Sequence, residues 1–355
     1  MSNTHDDLIR TAQAMVAPGK GILAADESSG TIKRRFDAIG AESTETNRRD
    51  YRELLFRTPG VAEFISGVIL FDETIRQNGA DGTPLVRVLA DQGIIPGIKV
   101  DAGLVPLAGA EGEVVTQGLD GLRERLAEYR ELGARFSKWR AVIPIGPAIP
   151  SAYGIEVNAH ALARYAALSQ EAGIVPIVEP EVLMDSSAGG GVGDHSIERC
   201  FEVTRDTLRK VFEQLGRQRV DLEGMILKPN MVLSGASAKE RADAEEVGRL
   251  TVACFKETIP AAVPGIAFLS GGQSDDEATR NLDAINRRAA SEGVPWQLTF
   301  SFGRGLQAAP QKAWAGKPEN VAAAQRAFYH RAKVSAAARQ AKYSPAMEAE
   351  LTAAG

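Results

Sequence analysis

The 355-residue sequence predicts an α/β protein built as a closed (β/α)8 TIM barrel. Eight short apolar segments follow one another along the chain, and each includes charged or hydroxyl residues. Glycine or proline bounds these segments, as expected of parallel strands that are buried on both faces. Longer stretches with helical spacing of apolar residues separate them. Eight alternations of strand and helix favour a closed barrel.

The predicted strands can be placed in order along the chain. They cover residues 21–28, 64–74, 97–103, 136–143, 175–183, 224–233, 266–273 and 297–305. The clearest predicted helices between them cover residues 119–132, 158–172, 196–215, 239–258 and 275–291. Asn158, Ser196 and Ser274 are candidate N-caps, because their side chains can accept from free N–H groups of a first helical turn.

The two ends of the chain extend the predicted barrel. A helix is expected before the first strand, and an alanine-rich stretch predicts one or two helices over residues 320–341. The last residues, KYSPAMEAELTAAG, are expected to be loosely held. We therefore expect a single domain over residues 1–355, with the barrel at about 20–310 and a C-terminal extension at about 311–355.

A doubly wound open sheet is the alternative architecture. It would be favoured by a G-x-G-x-x-G turn after the first strand, and the segment GILAADESSGT has only a weak version of that turn. The run GGGVG at 189–193 lacks the lysine of a phosphate-binding P-loop and is interpreted as a surface loop.

Composition narrows the class of protein. The chain has 41 basic and 46 acidic residues, a net charge of −5, so nothing in it calls for nucleic acid or an anionic membrane as partner. No apolar run approaches the roughly 20 residues of a membrane span. The start, MSNTHDDLIRTAQAM, lacks a signal-peptide layout, and the only cysteines are Cys200 and Cys254. These features predict a soluble, cytoplasmic protein.

Ionisable side chains gather at the predicted strand ends. In a TIM barrel the carboxyl ends of the strands converge on one mouth, where catalytic groups lie. Residues two apart on a strand face the same way. The candidates are Asp26 on the first strand, Lys99 on the third, Lys138 and Arg140 on the fourth, Glu179 and Glu181 on the fifth, and Lys228 on the sixth.

Lys228 is the most informative of these side chains. Four apolar residues precede it and a proline follows, so it is not an ordinary surface group. Burial and the nearby Lys138 disfavour the ammonium, which would leave an amine able to attack a carbonyl and form a Schiff base. A structural lysine paired with a carboxylate is the alternative.

Schiff-base chemistry also needs a carboxyl group that can give and take a proton. Glu179 and Glu181 are the candidates, and the sequence leaves open whether like-charge crowding or the neighbouring cations decide their protonation. Asp26 could deprotonate a substrate hydroxyl; its alternative role is helix capping.

The last two predicted strands end in hydroxyls, glycines and an arginine, which suits phosphate binding. The segments are SGGQS at 270–274, with Ser270 and Gly271, and SFGRG at 301–305, with Ser301, Gly303 and Arg304. Near the first strand, Lys99, Ser28 and Thr31 could hold a second phosphate. The four histidines are widely separated, so a zinc site is not predicted.

Seven segments in this order resemble the class I fructose-bisphosphate aldolase family over residues 8–345. They are GKGILAADESSGTIKRRF, GIKVD, FSKWR, IVEPE, LKPNM, FLSGGQS and SFGRGLQ. The resemblance implies a TIM barrel that cleaves fructose 1,6-bisphosphate to dihydroxyacetone phosphate and glyceraldehyde 3-phosphate without a metal or other cofactor. It also implies a homotetramer whose partners are ketose and triose phosphates.

The resemblance also implies roles for individual residues. Lys228 matches the imine-forming lysine, Glu179 the acid/base for carbinolamine dehydration and Glu181 a supporting glutamate. Asp26 matches the residue that helps to deprotonate the 4-hydroxyl. Other positions match groups that orient the substrate or bind phosphate: Lys138, Arg140, the 1-phosphate residues Ser270, Gly271, Gly303 and Arg304, the 6-phosphate residues Ser28, Thr31 and Lys99, and Arg35.

Two positions depart from the pattern of the family. Thr31 stands where many members have serine, and it keeps the hydroxyl. Many animal and plant members finish with a tyrosine that assists enamine protonation, whereas this sequence finishes ELTAAG.

Two other functions are the alternatives to an aldolase. They are transaldolase, another imine-forming barrel enzyme, and a non-catalytic scaffold. The presence of Lys228, Glu179 and Asp26 argues against the scaffold.

Overall fold

The computed structural model describes residues 2–353, with the side chains of 5–349, and contains a closed barrel of eight parallel strands. Ten strands are numbered in chain order within these residues. They are β1 Gly21–Ala25, β2 Ile65–Leu70, β3 Ile95–Lys99, β4 Leu104–Pro106, β5 Val114–Thr116, β6 Phe136–Ile143, β7 Val175–Val182, β8 Ile226–Leu227, β9 Gly265–Phe268 and β10 Gln297–Phe302. The barrel order is β1, β2, β3, β6, β7, β8, β9, β10 and back to β1.

Helices follow most of the barrel strands and pack around them. They are α1 Ser2–Met15, α2 Ser29–Asp37, α3 Glu45–Phe56, α4 Asp72–Ile75, α5 Leu85–Ala90, α6 Leu122–Glu131, α7 Ala152–Glu171, α8 Ile197–Arg217, α9 Ala244–Thr258, α10 Asp275–Glu292, α11 Arg304–Trp314, α12 Val321–Arg339 and α13 Ala346–Ala353. The predicted (β/α)8 barrel, its N-terminal helix and its C-terminal helical extension are confirmed.

All eight predicted strand segments overlap a barrel strand, although most predicted segments run past the strand end. The largest difference is at β8, which pairs only over Ile226–Leu227 within the predicted 224–233. Pro229 ends it, because proline has no N–H for the ladder. The hairpin of β4 and β5 was not predicted; its strands are three residues long and only partly buried, so they carry little hydrophobic pattern.

Two of the three predicted helix caps are confirmed. The side chains of Ser196 and Ser274 accept from N–H groups in the first turns of α8 and α10. The prediction for Asn158 is wrong, because α7 begins six residues earlier and is capped by Ser151. Asn158 is buried inside the helix, where its amide donates to the carbonyl of Val114 at 2.9 Å.

The prediction of a loosely held C-terminal end is also wrong for the part that the structure describes. The hydroxyl of Tyr343 donates to Asp276 Oδ1 at 2.9 Å, and Glu348 forms an ion pair with Arg331. Helix α13 then continues to Ala353. The segment is therefore attached to α10 and α12 by polar contacts that its sequence pattern does not reveal.

The barrel interior is apolar at the amino ends of the strands. Alternate strand residues such as Ile22, Val175 and Ile177 form a buried cluster there, which α1 closes through Leu8, Ala12 and Met15, together with Val16 just after the helix. The Phe136 ring lies in this layer against Gly97, where a Cβ would lie 2.2 Å from the ring. Residues two apart on a strand share a face, and the next inward-facing positions toward the carboxyl ends carry ionisable side chains.

No helix among residues 2–353 is long and apolar enough to span a membrane.

Candidate active site

A cavity of about 930 Å³ opens at the carboxyl ends of the barrel strands. All fifteen residues selected from the sequence line it: Asp26, Ser28, Thr31, Arg35, Lys99, Lys138, Arg140, Glu179, Glu181, Lys228, Ser270, Gly271, Ser301, Gly303 and Arg304. They come together because inward-facing positions of several strands converge at this end of a barrel.

Glu179 lies between two lysines at the base of the cavity. Its Oε1 lies 3.2 Å from Lys228 Nζ, and its Oε2 lies 3.2 Å from Lys138 Nζ. The side chains of Lys228 and Glu179 are each only 4% exposed. A buried amine beside a buried carboxyl group has a partner with which to exchange a proton when it reacts.

Asp26 forms the other ion pair of Lys138, with Oδ2 at 2.8 Å from Nζ. Burial opposes ionisation of Asp26, but Lys138 and Lys228 outweigh it and hold its pKa well below the usual range. Burial also opposes the charge of Lys138, but Asp26 and Glu179 raise its pKa above the ordinary value. Asp26 is therefore a carboxylate and Lys138 an ammonium at neutral pH. The helix-capping alternative for Asp26 does not hold, since α2 begins at Ser29.

Glu181 faces the same side of β7 as Glu179 and forms an ion pair with Arg140. Burial opposes the charge of Arg140, but Glu181 raises the pKa of the guanidinium above its ordinary value. Glu181 therefore holds Arg140 at the mouth, while Glu179 faces the lysines below.

Two loops form the side of the cavity expected to bind the 1-phosphate. Gly271 and Gly272 have φ angles of +23° and +34°, and the Arg304 guanidinium donates to the Gln273 carbonyl at 2.9 Å. The hydroxyl of Ser301 is buried and has no hydrogen-bond partner in the protein. Gly303 precedes the first residue of α11, so the N–H groups of that helix end face the same loops.

The opposite side contains the residues expected to bind the 6-phosphate. Ser28 is the N-cap position of α2, and its hydroxyl donates to Thr31 Oγ1 at 3.3 Å. Lys99 Nζ lies 2.6 Å from Asp101 Oδ1. Arg35 forms an ion pair with Glu27 beneath these residues.

Sequence reasoning missed several acidic groups of the cavity. Asp101 holds Lys99, and Glu27 holds Arg35 and accepts from Gln307 Nε2 at 2.6 Å. The sequence did offer a signal for both, because Asp101 lies in GIKVD and Glu27 in AADES, next to residues that were predicted to line the site. Seven basic and six acidic side chains line the cavity, so its net charge is small. Phosphate must therefore be bound by individual basic groups at particular positions and not by a broad positive field.

Among residues 2–353, no group of three or more His, Cys, Asp or Glu side chains is arranged to hold a metal ion.

Comparison with known proteins places the chain in a family. The family model for class-I fructose-bisphosphate aldolase matches residues 7–354. A probable fructose-bisphosphate aldolase class 1 of Xanthomonas campestris is 57% identical over 95% of this chain and 98% of its own. Fructose-bisphosphate aldolase 5, cytosolic, of Arabidopsis thaliana is 53% identical over 96% of this chain and 92% of its own. The fructose-bisphosphate aldolase structure from Plasmodium falciparum has a TM-score of 0.93 and 49% identity, covering 97% of both chains.

The fold and the cavity together define a TIM-barrel enzyme. The chain belongs to the class-I fructose-bisphosphate aldolase family. It is a lyase that reversibly cleaves fructose 1,6-bisphosphate to dihydroxyacetone phosphate and glyceraldehyde 3-phosphate through a lysine Schiff base, in glycolysis and gluconeogenesis.

Proposed function

We propose that Lys228 is the Schiff-base lysine and that the residues around it carry the steps of the aldolase reaction. The observation that supports this most directly is the buried contact of 3.2 Å between Lys228 Nζ and Glu179 Oε1. The amine attacks the ketone carbon of the substrate and forms a carbinolamine. Glu179 protonates the departing hydroxyl, water leaves, and a cationic imine remains.

Asp26 accepts the proton of the 4-hydroxyl as the bond between the third and fourth carbons breaks. The imine nitrogen takes up the electron pair, and the aldehyde product leaves. The depressed pKa of Asp26 keeps this group ionised and available at neutral pH. Lys138, whose pKa is raised, remains a cation between Asp26 and Glu179 and orients both side chains. Protonation of the enamine and hydrolysis of the imine then release dihydroxyacetone phosphate.

Two phosphate positions hold the substrate across the mouth. On one side we assign the 1-phosphate to Ser270, Gly271, Ser301, Gly303 and Arg304. On the other side we assign the 6-phosphate to Ser28, Thr31 and Lys99, with Arg35 below and Arg140 at the rim. Two observations support the first assignment. The Ser301 hydroxyl has no partner in the protein and is free to donate to an anion. The positive φ of Gly271 is typical of backbone that a ligand approaches closely.

Borohydride trapping tests the assignment of Lys228. Reduction in the presence of dihydroxyacetone phosphate is expected to add the triose mass to Lys228, located by peptide mapping. Lys228→Met is expected to lose the label and nearly all cleavage. Lys99→Met is the matched control, expected to keep the label at saturating substrate and to raise KM. A label on any other lysine, or normal turnover in Lys228→Met, overturns the proposal.

Three further properties rest on the family. We propose that residues 1–355 form a single domain, that the enzyme assembles as a homotetramer and that it acts in the cytoplasm. A cytosolic relative from Arabidopsis thaliana supports the location. Light scattering of the purified enzyme tests the tetramer, and a mass of one or two chains would contradict it.

A further inference from the structure

The pairing between β7 and β8 stops beside the two central residues of the site. The last backbone bond between these segments runs from the Lys228 N–H to the Val178 carbonyl, at 2.8 Å. Pro180 and Pro229 follow on the two sides, and neither has an N–H to continue the ladder. Backbone pairing therefore holds this segment to β7 only as far as Lys228.

A side chain replaces the missing strand pairing. In this parallel register the Val182 N–H would meet the backbone carbonyl of Asn230 if the ladder continued. Instead, Asn230 Oδ1 accepts this hydrogen bond at 3.0 Å. Asn230 Nδ2 donates to Thr204 Oγ1 on α8 and to the Met231 carbonyl, both at 3.0 Å. Asn230 is 3% exposed, so water does not compete for these bonds.

The two hydrogen bonds that connect this segment to β7 lie on either side of the glutamates. Val178 and Val182 lie on either side of Glu179 and Glu181, and their partners Lys228 and Asn230 lie two residues apart. Because a hydrogen bond holds the two segments together at each end, the separation of the strand carrying Glu179 from the segment carrying Lys228 is fixed. It also fixes the distance of 3.2 Å between Lys228 Nζ and Glu179 Oε1.

We propose that Asn230 is a positioning residue, which sets the geometry of proton transfer between Glu179 and Lys228 by standing in for the interrupted strand pairing. The inference rests on the proposed roles of these two residues. Asn230 itself acts through the backbone of Val182 and through Thr204. It therefore governs the rate of imine formation and not the binding of phosphate.

Removal of the amide is the first test. Asn230→Ala is expected to lower kcat about 10-fold to 100-fold with little change in KM, since displacements of about 1 Å cost rates of this order. The rate at which borohydride traps the imine at Lys228 should fall by the same factor. Asn230→Asp, which keeps the acceptor for the Val182 N–H, is expected to restore part of that rate.

Asn158→Ala is the matched control. Asn158 is also buried, and its amide donates to the carbonyls of Val114 and Gly154, away from the lysines. It is expected to destabilise the protein similarly and to leave kcat and the trapping rate unchanged. Equal kcat losses in the two variants would overturn the inference, because they would reduce Asn230 to a stabilising role.

Thr204→Val covers the case in which Asn230→Ala does not fold. It removes one of the two partners of Asn230 Nδ2 but leaves the amide, and a several-fold loss of kcat is expected. An unchanged kcat and trapping rate in a folded Thr204→Val variant would overturn the inference. A label on a lysine other than Lys228 would instead overturn the proposed function, so the two failures are distinguishable.

Discussion

Lys138 Nζ lies 2.8 Å from Asp26 Oδ2 inside the barrel, and each group stabilises the charge of the other. Burial alone would neutralise both. The paired arrangement instead lowers the pKa of Asp26 and raises that of Lys138, so both are charged across the neutral range. The site is thus charged before substrate arrives, and its protons must move through groups that are already in contact.

Asp26→Asn is expected to lower both activity and stability at pH 7. Loss of a general base reduces kcat by about 10²-fold to 10⁴-fold. The folded-state pKa lies below the unfolded value of about 3.9, so the stabilisation is present above that pH and is lost as pH falls. Urea denaturation at several pH values should show the difference from wild type narrowing below about pH 4.

Asp185→Asn is the control for that experiment. Asp185 also lines the cavity, where its Oδ1 accepts from the Ser187 N–H at 2.9 Å. We expect kcat to stay within a few-fold of wild type. Similar losses in the two variants would mean that negative charge in the cavity matters and that the pair with Lys138 does not.

Much of the fold and of the candidate site could be predicted because both depend on local order along the chain. Lys138 and Arg140 share a face of β6, and Glu179 and Glu181 share a face of β7, as two-residue alternation requires. A closed barrel then brings these faces together. Knowing which segments are strands and which of their positions face inward was therefore enough to place these four side chains at one mouth.

Other features depend on partners distant in sequence and could not be predicted. Asn158 has the residue type of a helix cap, but tertiary packing extends α7 past it and buries it. Tyr343 lies in a segment without a hydrophobic pattern, and its hydroxyl donates to Asp276 Oδ1. The ion pairs of Glu27 with Arg35 and of Asp101 with Lys99 become visible only when side-chain positions are known.

Gly271→Ala is expected to weaken phosphate binding. Its φ is +23°, and an added Cβ would lie 2.6 Å from Leu269 Cδ1 and 3.1 Å from Glu181 Oε1. The loop must shift, so KM for fructose 1,6-bisphosphate should rise about tenfold or more, equivalent to about 1.4 kcal/mol. Steady-state kinetics measures this change.

Gly30→Ala is the matched glycine control. Gly30 lies in α2, and an added Cβ would meet nothing within 4 Å. Alanine favours helix by about 0.5–1 kcal/mol over glycine, so the variant should be slightly more stable, with an unchanged KM. An unchanged KM in Gly271→Ala would remove this loop from the phosphate site.

Arg339→Met is expected to separate stability from catalysis, because Arg339 lies at the amino end of the barrel. It is 6% exposed, and burial lowers its pKa to about 10, so it is charged at neutral pH. Its guanidinium donates to the carbonyls of Val16, Ala17 and Lys20, which connect α1 to β1. Loss of these bonds leaves acceptors without donors and should cost about 2–4 kcal/mol in the free energy of unfolding. Denaturation should show that loss while kcat and KM at 25 °C stay unchanged, since the amino end of a barrel contributes stability and the carboxyl end contributes chemistry. A fall in kcat without loss of stability would instead mean that α1 and the loop after it communicate with the site at the other end.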